Sequence, residues 1–192
     1  ALQFAEFNMI SSIGGFLLGA SQLLFLYTVV KCVRGGQAAA DKPWEGAFAN
    51  YVTVIRDAGV YRLYYRGVPA AGRDGNPNEV TCVAESADGI AWRRPDLNFY
   101  EVRSTRPNNV ILADAVPFCH NFSPFLDTRP GVDPQQRYKA LAGTRETGLV
   151  AFVSADGLAW RKLRAEAVFP ASKEWRYDSQ NVSFWSEHEH RY

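Results

Sequence analysis

The strongest constraint on the fold is an internal repeat in the larger, C-terminal part of the chain. Residues 86–93 read Ser-Ala-Asp-Gly-Ile-Ala-Trp-Arg, and residues 154–161 read Ser-Ala-Asp-Gly-Leu-Ala-Trp-Arg, at an offset of 68 residues. A period of this length lies above the commonest solenoid repeats and is typical of a propeller blade with long loops. The sequence therefore predicts two copies of one β unit, and a third that starts at 178.

Short apolar runs separated by turn residues predict four antiparallel strands in each unit. In the first unit the predicted strands cover residues 51–56, 60–66, 80–85 and 90–93, and in the second 121–127, 137–143, 149–154 and 158–163. The predicted blades extend over about 48–95, 118–164 and 178–192 onward. Asp57-Ala58-Gly59 is a short hairpin loop in which Gly59 can adopt a positive φ.

The repeated Ser-Ala-Asp-Gly-x-Ala-Trp element predicts a structural hairpin. Its Asp can accept hydrogen bonds from the turn backbone, its Gly can adopt a positive φ, and its Trp can pack beneath the next strand. Because the two copies are so alike, neither is expected to form a unique catalytic centre.

A different pattern covers residues 7–30, where 24 consecutive residues carry no charge. An apolar stretch of this length predicts a transmembrane helix, and its glycines and serines predict contact with neighbouring membrane helices. Lys31, Arg34 and Lys42 follow the stretch while Glu6 precedes it, so the positive-inside rule places its C-terminal side in the cytoplasm. A signal peptide is a weaker alternative because these charges run the wrong way. The expectation is a single-pass membrane protein with the lipid bilayer as a partner.

The amino-acid sequence of this stretch, with Lys31 and Arg34-Gly35-Gly36 after it, resembles the last transmembrane helix of cytochrome c oxidase subunit I, and the resemblance covers residues 1–47. The resemblance implies a role in packing the helix bundle. Histidines on earlier helices hold the haems and copper of that family, and residues 1–50 contain no histidine. No cofactor is therefore expected here.

Residues 44–192 resemble the N-terminal blades of five-bladed propellers of glycoside hydrolase family 32 and its arabinanase and levansucrase relatives. The resemblance rests on the run Tyr-Arg-Leu-Tyr-Tyr-Arg ending at Arg66, on the repeated hairpin, and on Tyr-Asp-Ser-Gln-Asn-Val-Ser-Phe-Trp over 177–185. The predicted fold class is one transmembrane α-helix followed by an all-β, incomplete five-bladed propeller of about two and a half blades. The expected domains are a helix over 1–34, a linker over 35–47 and the propeller over 48–192.

The second resemblance implies two catalytic carboxylates, since glycoside hydrolysis needs one protonated and one ionised acid across the scissile bond. Asp178 matches the family's transition-state-stabilising Asp, although Ser179 stands where the family has Pro. Glu45 matches the nucleophile position without the family's Asn-Asp-Pro context, and the general acid is expected in a fourth blade. By their places at strand starts, the expected substrate-binding residues are His120, Asn121, Asn50 and Asn181.

Structural roles are the alternatives for these residues: a turn cap for Asp178, a linker charge for Glu45 and a strand-start hydrogen bond for His120. Cys32, Cys82 and Cys119 are too widely spaced for a disulfide framework or a zinc site, and no metal is expected. Residues 45–192 carry 18 basic and 18 acidic side chains, so nothing favours a nucleic-acid partner.

Together these features predict a fragment of a glycoside-hydrolase-like propeller protein, inactive as it stands, joined to a membrane helix, with carbohydrate as the candidate ligand. An intact relative would be a glycosidase acting on fructan- or arabinan-like sugars. The alternatives are a fragment of the oxidase subunit with an unrelated tail, and a non-catalytic sugar-binding propeller. The pairing of two unrelated resemblances also predicts a chimera of two coding sequences, with its junction between Gly36 and Phe48.

Overall fold

Two antiparallel sheets, each of four strands taken in chain order, form the framework of the described protein in a computed structural model. The structure describes residues 42–46, 49–70, 72 and 74–192. The first sheet contains β1 (Ala49–Asp57), β2 (Val60–Gly67), β3 (Val80–Ser86) and β4 (Val110–Leu112). The second contains β5 (Ser123–Leu126), β6 (Tyr138–Ala142), β7 (Val150–Ser154) and β8 (Arg161–Lys162), with a short 3₁₀ turn, Pro134–Gln136, before β6.

The connection between β1 and β2 follows from turn chemistry. Ala58 and Gly59 have φ of 47° and 83°, which turns β1 back along β2 with Asp57 opposite Val60. Pairing of β2 with β3 runs without interruption from Tyr61 opposite Ser86. A long loop joins these two strands and ends at Glu79.

A shared apolar core lies between the two sheets. Its buried members are Ile55, Tyr64, Val83, Ile111 and Tyr138. Burying aromatic and branched side chains of this size stabilises the pair of sheets by about 1.5–3 kcal/mol for each side chain.

Polar contacts also join the two sheets. The Tyr138 hydroxyl donates to Asp57 at 2.6 Å, and the Arg137 guanidinium donates to the other oxygen of that carboxylate at 2.8 Å. Burial alone would raise the pKa of Asp57, but these two hydrogen bonds outweigh it and lower the pKa. Burial and the bond to Asp57 raise the pKa of Tyr138 to about 12. The carboxylate is therefore ionised and joins the first sheet to the second.

The fourth strand of the first sheet differs from the prediction. Residues 90–93 contribute only an isolated bridge between Glu85 and Arg93, and the sheet is completed by β4, much later in the chain. The reason is burial: Val110, Ile111 and Leu112 are all buried, whereas Ile90 is 84% exposed. In the expected third blade, residues 178–192 form no strand and contain only the isolated bridge between Ser186 and Arg191.

The predicted fold class requires a larger correction. The described residues are all-β, without an α-helix, and among them no helix is long and apolar enough to cross a membrane. Their apolar side chains follow strand periodicity and meet in a core between sheets, which is why the described chain is not helical. A transmembrane helix before the β domain, and with it the single-pass membrane localisation, is therefore wrong as an account of this structure. Residues 7–30, on which that expectation rested, lie outside the described residues.

Candidate functional site

A buried arginine organises the polar residues at one edge of both sheets. Arg66 lies near the end of β2 and is 8% exposed. Its Nε donates to Asn50 Oδ1 at 2.7 Å, and its Nη1 lies 3.4 Å from Glu79 Oε1 and 3.5 Å from Asp74 Oδ1. The Tyr51 ring covers the guanidinium, with its centroid 4.6 Å from the arginine Cζ. Side chains from β1, β2 and the β2–β3 loop therefore converge on one positive charge.

Local backbone irregularities bring these side chains together. The register between β1 and β2 shifts between Asn50 and Thr53, and Tyr51 has a φ of 54°. A bulge of this kind redirects a side chain that regular pleating would point elsewhere. The β2–β3 loop brings Glu79 to Arg66, and both oxygens of that buried carboxylate accept from the backbone N–H of Gly75, at 3.1 and 3.2 Å.

Asp74, Glu79 and His120 form the one group of potential metal-binding side chains found among the described residues, with donor atoms within 4.8 Å of one another. A carboxylate pair with an imidazole is a donor set that a divalent cation accepts. Here, however, the Arg66 guanidinium lies against all three residues and supplies the positive charge. The three are therefore partners of Arg66.

His120 and Asn121 lie directly before β5 and hold the segment that carries Asp178. His120 Nε2 lies 3.4 Å from the carbonyl oxygen of Asp178. Asn121 Nδ2 donates to the carbonyls of Tyr177 and Ser179, at 3.0 and 3.1 Å. The same amide also pairs with Gly143 in both directions, donating at 2.7 Å and accepting at 3.0 Å. Two consecutive side chains thus bind three consecutive carbonyls.

A polar cavity of about 240 Å³ opens in front of this arrangement. It is lined by Asp74, His120, Thr144, Arg145, Glu146, Trp175, Arg176, Tyr177 and Asp178. The lining combines three carboxylates, two guanidinium groups, an imidazole and two large aromatic rings. Such a mixture can hydrogen-bond neutral hydroxyl groups in several directions and can pack an aromatic ring against an apolar face.

Charges at the rim are partly balanced within the loops that carry them. Arg145 Nε donates to Glu146 Oε1 at 2.9 Å. This bond, with those from Thr144 and the Glu146 backbone, lowers the pKa of Glu146 to about 2, so the carboxylate is ionised at neutral pH. The Arg145 guanidinium also lies 4.2 Å from the ring centroid of Trp175, which is nevertheless 83% exposed.

The structure brings four of the six predicted site residues together. Asp178 and His120 line the cavity. Asn121 binds the backbone of Tyr177, which also lines it, and Asn50 binds Arg66, which contacts Asp74 and His120. Asp178 is exposed, and within the described part of the chain its carboxylate has no hydrogen bond or ion pair. Asn181 lies outside the cavity, where its amide donates to the Ser179 carbonyl at 2.8 Å.

Glu45 has a different environment. It is fully buried, and its carboxylate accepts from Arg94 at 2.6 Å and 3.0 Å and from the Tyr65 hydroxyl. Burial, followed by the neighbouring Cys82 and the bond to Glu45, raises the pKa of Tyr65, so the phenol stays protonated and donates. Glu45 does not line the cavity that contains Asp178. Its contacts are those of a buried ion pair that fastens the start of the described chain to β2.

Several residues of the site were missed in the sequence. Arg66 was noticed only as the end of a strand, and Asp74 and Glu79 lie in the long loop between the second and third strands, to which no role was assigned. That length was the available signal, because long loops between packed strands often carry functional side chains. Trp175 gave no signal, since an isolated Trp in a loop is also a common packing residue.

A second, larger groove of about 1070 Å³ lies between β6, β7 and the chain from 177 to 192. Most of its lining side chains are apolar, including Phe125, Leu141, Leu149 and Leu163. The groups that could bind a polar ligand in several directions are concentrated at the smaller cavity, which is therefore the candidate site.

No protein-family model matches this chain, and no solved structure matches it. Its function must be argued from the chemistry of the site.

Proposed function

We propose that this protein binds carbohydrate in the polar cavity in front of His120 and Asp178. The observation that carries the proposal is the lining itself, in which three carboxylates and two guanidinium groups surround a cavity beside two aromatic residues. Sugars present hydroxyl groups that both donate and accept, so ionised side chains of both signs can bind them with charge-assisted hydrogen bonds. An exposed ring such as that of Trp175 can cover an apolar sugar face.

The volume of the cavity suits a small ligand or a short part of a longer one. About 240 Å³ is slightly below the 300–1,000 Å³ of most ligand pockets. One or two sugar residues are therefore the expected occupants, with longer chains extending into solvent. Fructan- and arabinan-like oligosaccharides are the first ligands to test, in accord with the resemblance of residues 44–192 to the family 32 propellers.

Binding is favoured over hydrolysis by the surroundings of Glu45. The resemblance makes Glu45 the nucleophile, and a nucleophilic carboxylate must face the scissile bond of the sugar. Glu45 is instead buried against Arg94 and Tyr65, outside the cavity. We therefore expect the chain to bind oligosaccharides without cleaving them.

Isothermal titration of the full chain with a fructo-oligosaccharide and an arabino-oligosaccharide tests the proposal. Trp175→Ala and Asp178→Asn should each weaken binding about fivefold to thirtyfold, since each removes a direct contact worth about 1–2 kcal/mol. Phe99→Ala and Asp114→Asn are the matched controls, because both residues are exposed and lie outside the cavity. Absence of binding to either sugar, or equal binding by all four variants, would refute the proposal. Release of reducing sugar that Asp178→Asn abolishes would establish hydrolysis instead.

A further inference from the structure

We propose that His120 and Asn121 are positioning residues that hold Asp178 toward the cavity, and that His120 does so as the neutral tautomer with its proton on Nε2. The inference rests on the proposed function for the role of Asp178 as a ligand contact. The tautomer and the clamp themselves are properties of the protein without any ligand.

Arg66 is the donor in its contact with His120. Arg66 Nη1 lies within hydrogen-bond distance of His120 Nδ1. A guanidinium has only N–H donors and stays protonated in proteins, so Nδ1 must be the acceptor. The imidazole then carries its proton on Nε2, which is the nitrogen that faces the Asp178 carbonyl at 3.4 Å. Arg66 therefore sets the tautomer that can bind the Asp178 backbone.

Two carboxylates, Asp74 Oδ1 at 3.9 Å and Glu79 Oε1 at 3.6 Å, also lie near His120 Nδ1, but both face the Arg66 guanidinium that donates to this nitrogen. Arg66 is kept in place by Asn50 and Glu79, and the Tyr51 ring lies edge-on to the imidazole with centroids 5.4 Å apart. His120 itself is 3% exposed. A nearly buried ring between fixed neighbours cannot rotate to exchange its two nitrogens without breaking these contacts.

Asn121 binds the backbone on both sides of Asp178. The backbone N–H of Gly143 donates to Asn121 Oδ1, which fixes the amide with its NH₂ toward the carbonyls of Tyr177 and Ser179. Tyr177 has a φ of 62°, a left-handed conformation that is unfavourable for a residue with a side chain. Hydrogen bonds to the carbonyls on either side of Asp178 stabilise this turn. The exposed Asp178 carboxylate is thereby left on the cavity side.

Two substitutions at His120 separate positioning from simple support of the fold. Gln carries an N–H donor close to the place of His Nε2, whereas the shorter Asn places its donor close to Nδ1. The ¹³C shift of the Asp178 carbonyl in the full chain should stay close to the wild-type value in His120→Gln and move to the value of an unbonded carbonyl in His120→Asn. Binding of the fructo-oligosaccharide should follow the same order, with about a threefold to tenfold loss in His120→Asn only. His188→Asn, at an exposed histidine away from the site, is the matched control.

The tautomer is measured by long-range ¹H–¹⁵N correlation spectra of the full chain labelled with ¹⁵N-histidine. At pH 7, the signals that disappear in His120→Gln should show an unprotonated Nδ1 and a protonated Nε2. A protonated Nδ1, or the same Asp178 carbonyl shift in the Gln and Asn variants, would overturn the inference. If the tautomer and the carbonyl shifts are as expected but neither sugar binds, the proposed function fails and the clamp stands.

Discussion

The hairpins at 86–93 and 154–161 have nearly the same sequence and the same internal hydrogen bonds, but different surroundings. In each, the Asp side chain accepts from the two backbone N–H groups that follow the Gly, at 2.8 Å in the first hairpin and at 2.8 and 2.9 Å in the second. In each, the Ser hydroxyl donates to that Asp at 2.9 Å. Both glycines have a φ of 77°. The predicted structural role of the element is therefore confirmed.

Only the second hairpin lies against the other sheet. Arg62 and Tyr64, both on β2, donate to the carbonyls of Asp156 and Gly157 at 2.9 and 3.1 Å. Gly157 is buried, whereas in the first hairpin Ile90 is 84% exposed. Internal bonds thus depend on the sequence of the element, while its burial depends on which strand lies beside it. Stability measurements on paired variants can separate the two contributions.

The largest difference is expected from the tryptophans. Trp160 makes edge-on contacts with Phe122, Tyr64 and Tyr138, with centroid distances of 5.0, 6.5 and 6.5 Å. Trp160→Ala should lower the free energy of unfolding by about 4 kcal/mol, because it opens a cavity between the sheets. Trp92→Ala should cost about 1 kcal/mol, since this ring packs on the core of one sheet only. Urea unfolding of the full-length variants measures both, and equal losses would contradict the comparison.

The second largest difference is expected between the glycines of the two hairpins, Gly89 and Gly157. A Cβ added at Gly157 would lie 2.7 Å from the Tyr64 hydroxyl oxygen and 3.0 Å from the Tyr138 ring, whereas one at Gly89 would meet Tyr61 at 3.8 Å. Gly157→Ala should therefore cost about 2–3 kcal/mol, from backbone strain and displacement of Tyr64. Gly89→Ala should cost only the strain, about 1 kcal/mol. The midpoint of thermal unfolding distinguishes them, and a larger shift for Gly89→Ala would show that the assigned neighbours are wrong.

A smaller effect is expected from one hydroxyl group. Tyr64→Phe removes the donor to the Gly157 carbonyl and should cost about 1 kcal/mol, since the buried acceptor is left with one bond fewer. Tyr61→Phe is its counterpart beside the first hairpin and should be close to neutral. A double-mutant cycle of Tyr64→Phe with Gly157→Ala should show coupling, because both changes affect the same contact. Additive losses would be evidence against that contact.

The smallest effect concerns acid stability. Backbone hydrogen bonds lower the pKa of Asp88, and at Asp156 the same bonds outweigh burial, which alone would raise the pKa. A lowered folded pKa contributes stability above the ordinary value of 3.8, and this contribution is lost as pH falls through the folded pKa. Asp88→Asn and Asp156→Asn should therefore each reduce the fall in melting temperature between about pH 5 and pH 2, by similar amounts. Asp114→Asn, outside both hairpins, is the control.

Strand pairing and the hairpin chemistry could be predicted from sequence because they depend on neighbours close in the chain. The turn after Asp57 depends on the positive φ of Gly59. The repeated Ser-x-Asp-Gly element depends on hydrogen bonds to its own backbone. The roles of both could therefore be predicted. The fourth strand of the first sheet was misplaced because its partner, β3, precedes it by a long loop. Choosing between 90–93 and Val110–Leu112 required knowing which run is buried.

The residues of the candidate site also fall into those that the sequence could predict and those that it could not. Asp178 and His120 were found because they lie at predicted strand starts, and Asn121 because it opens one of them. Glu45 was placed at the site by position alone, and its burial against Arg94 separates it from the cavity. No sequence spacing joins Arg66 to His120, which are 54 residues apart. The repeat, the turns and the strand periodicity could be predicted because each depends on residues close in the chain. The contacts of Arg66 could not, because they form only when the two sheets pack on their shared core and bring distant loops together.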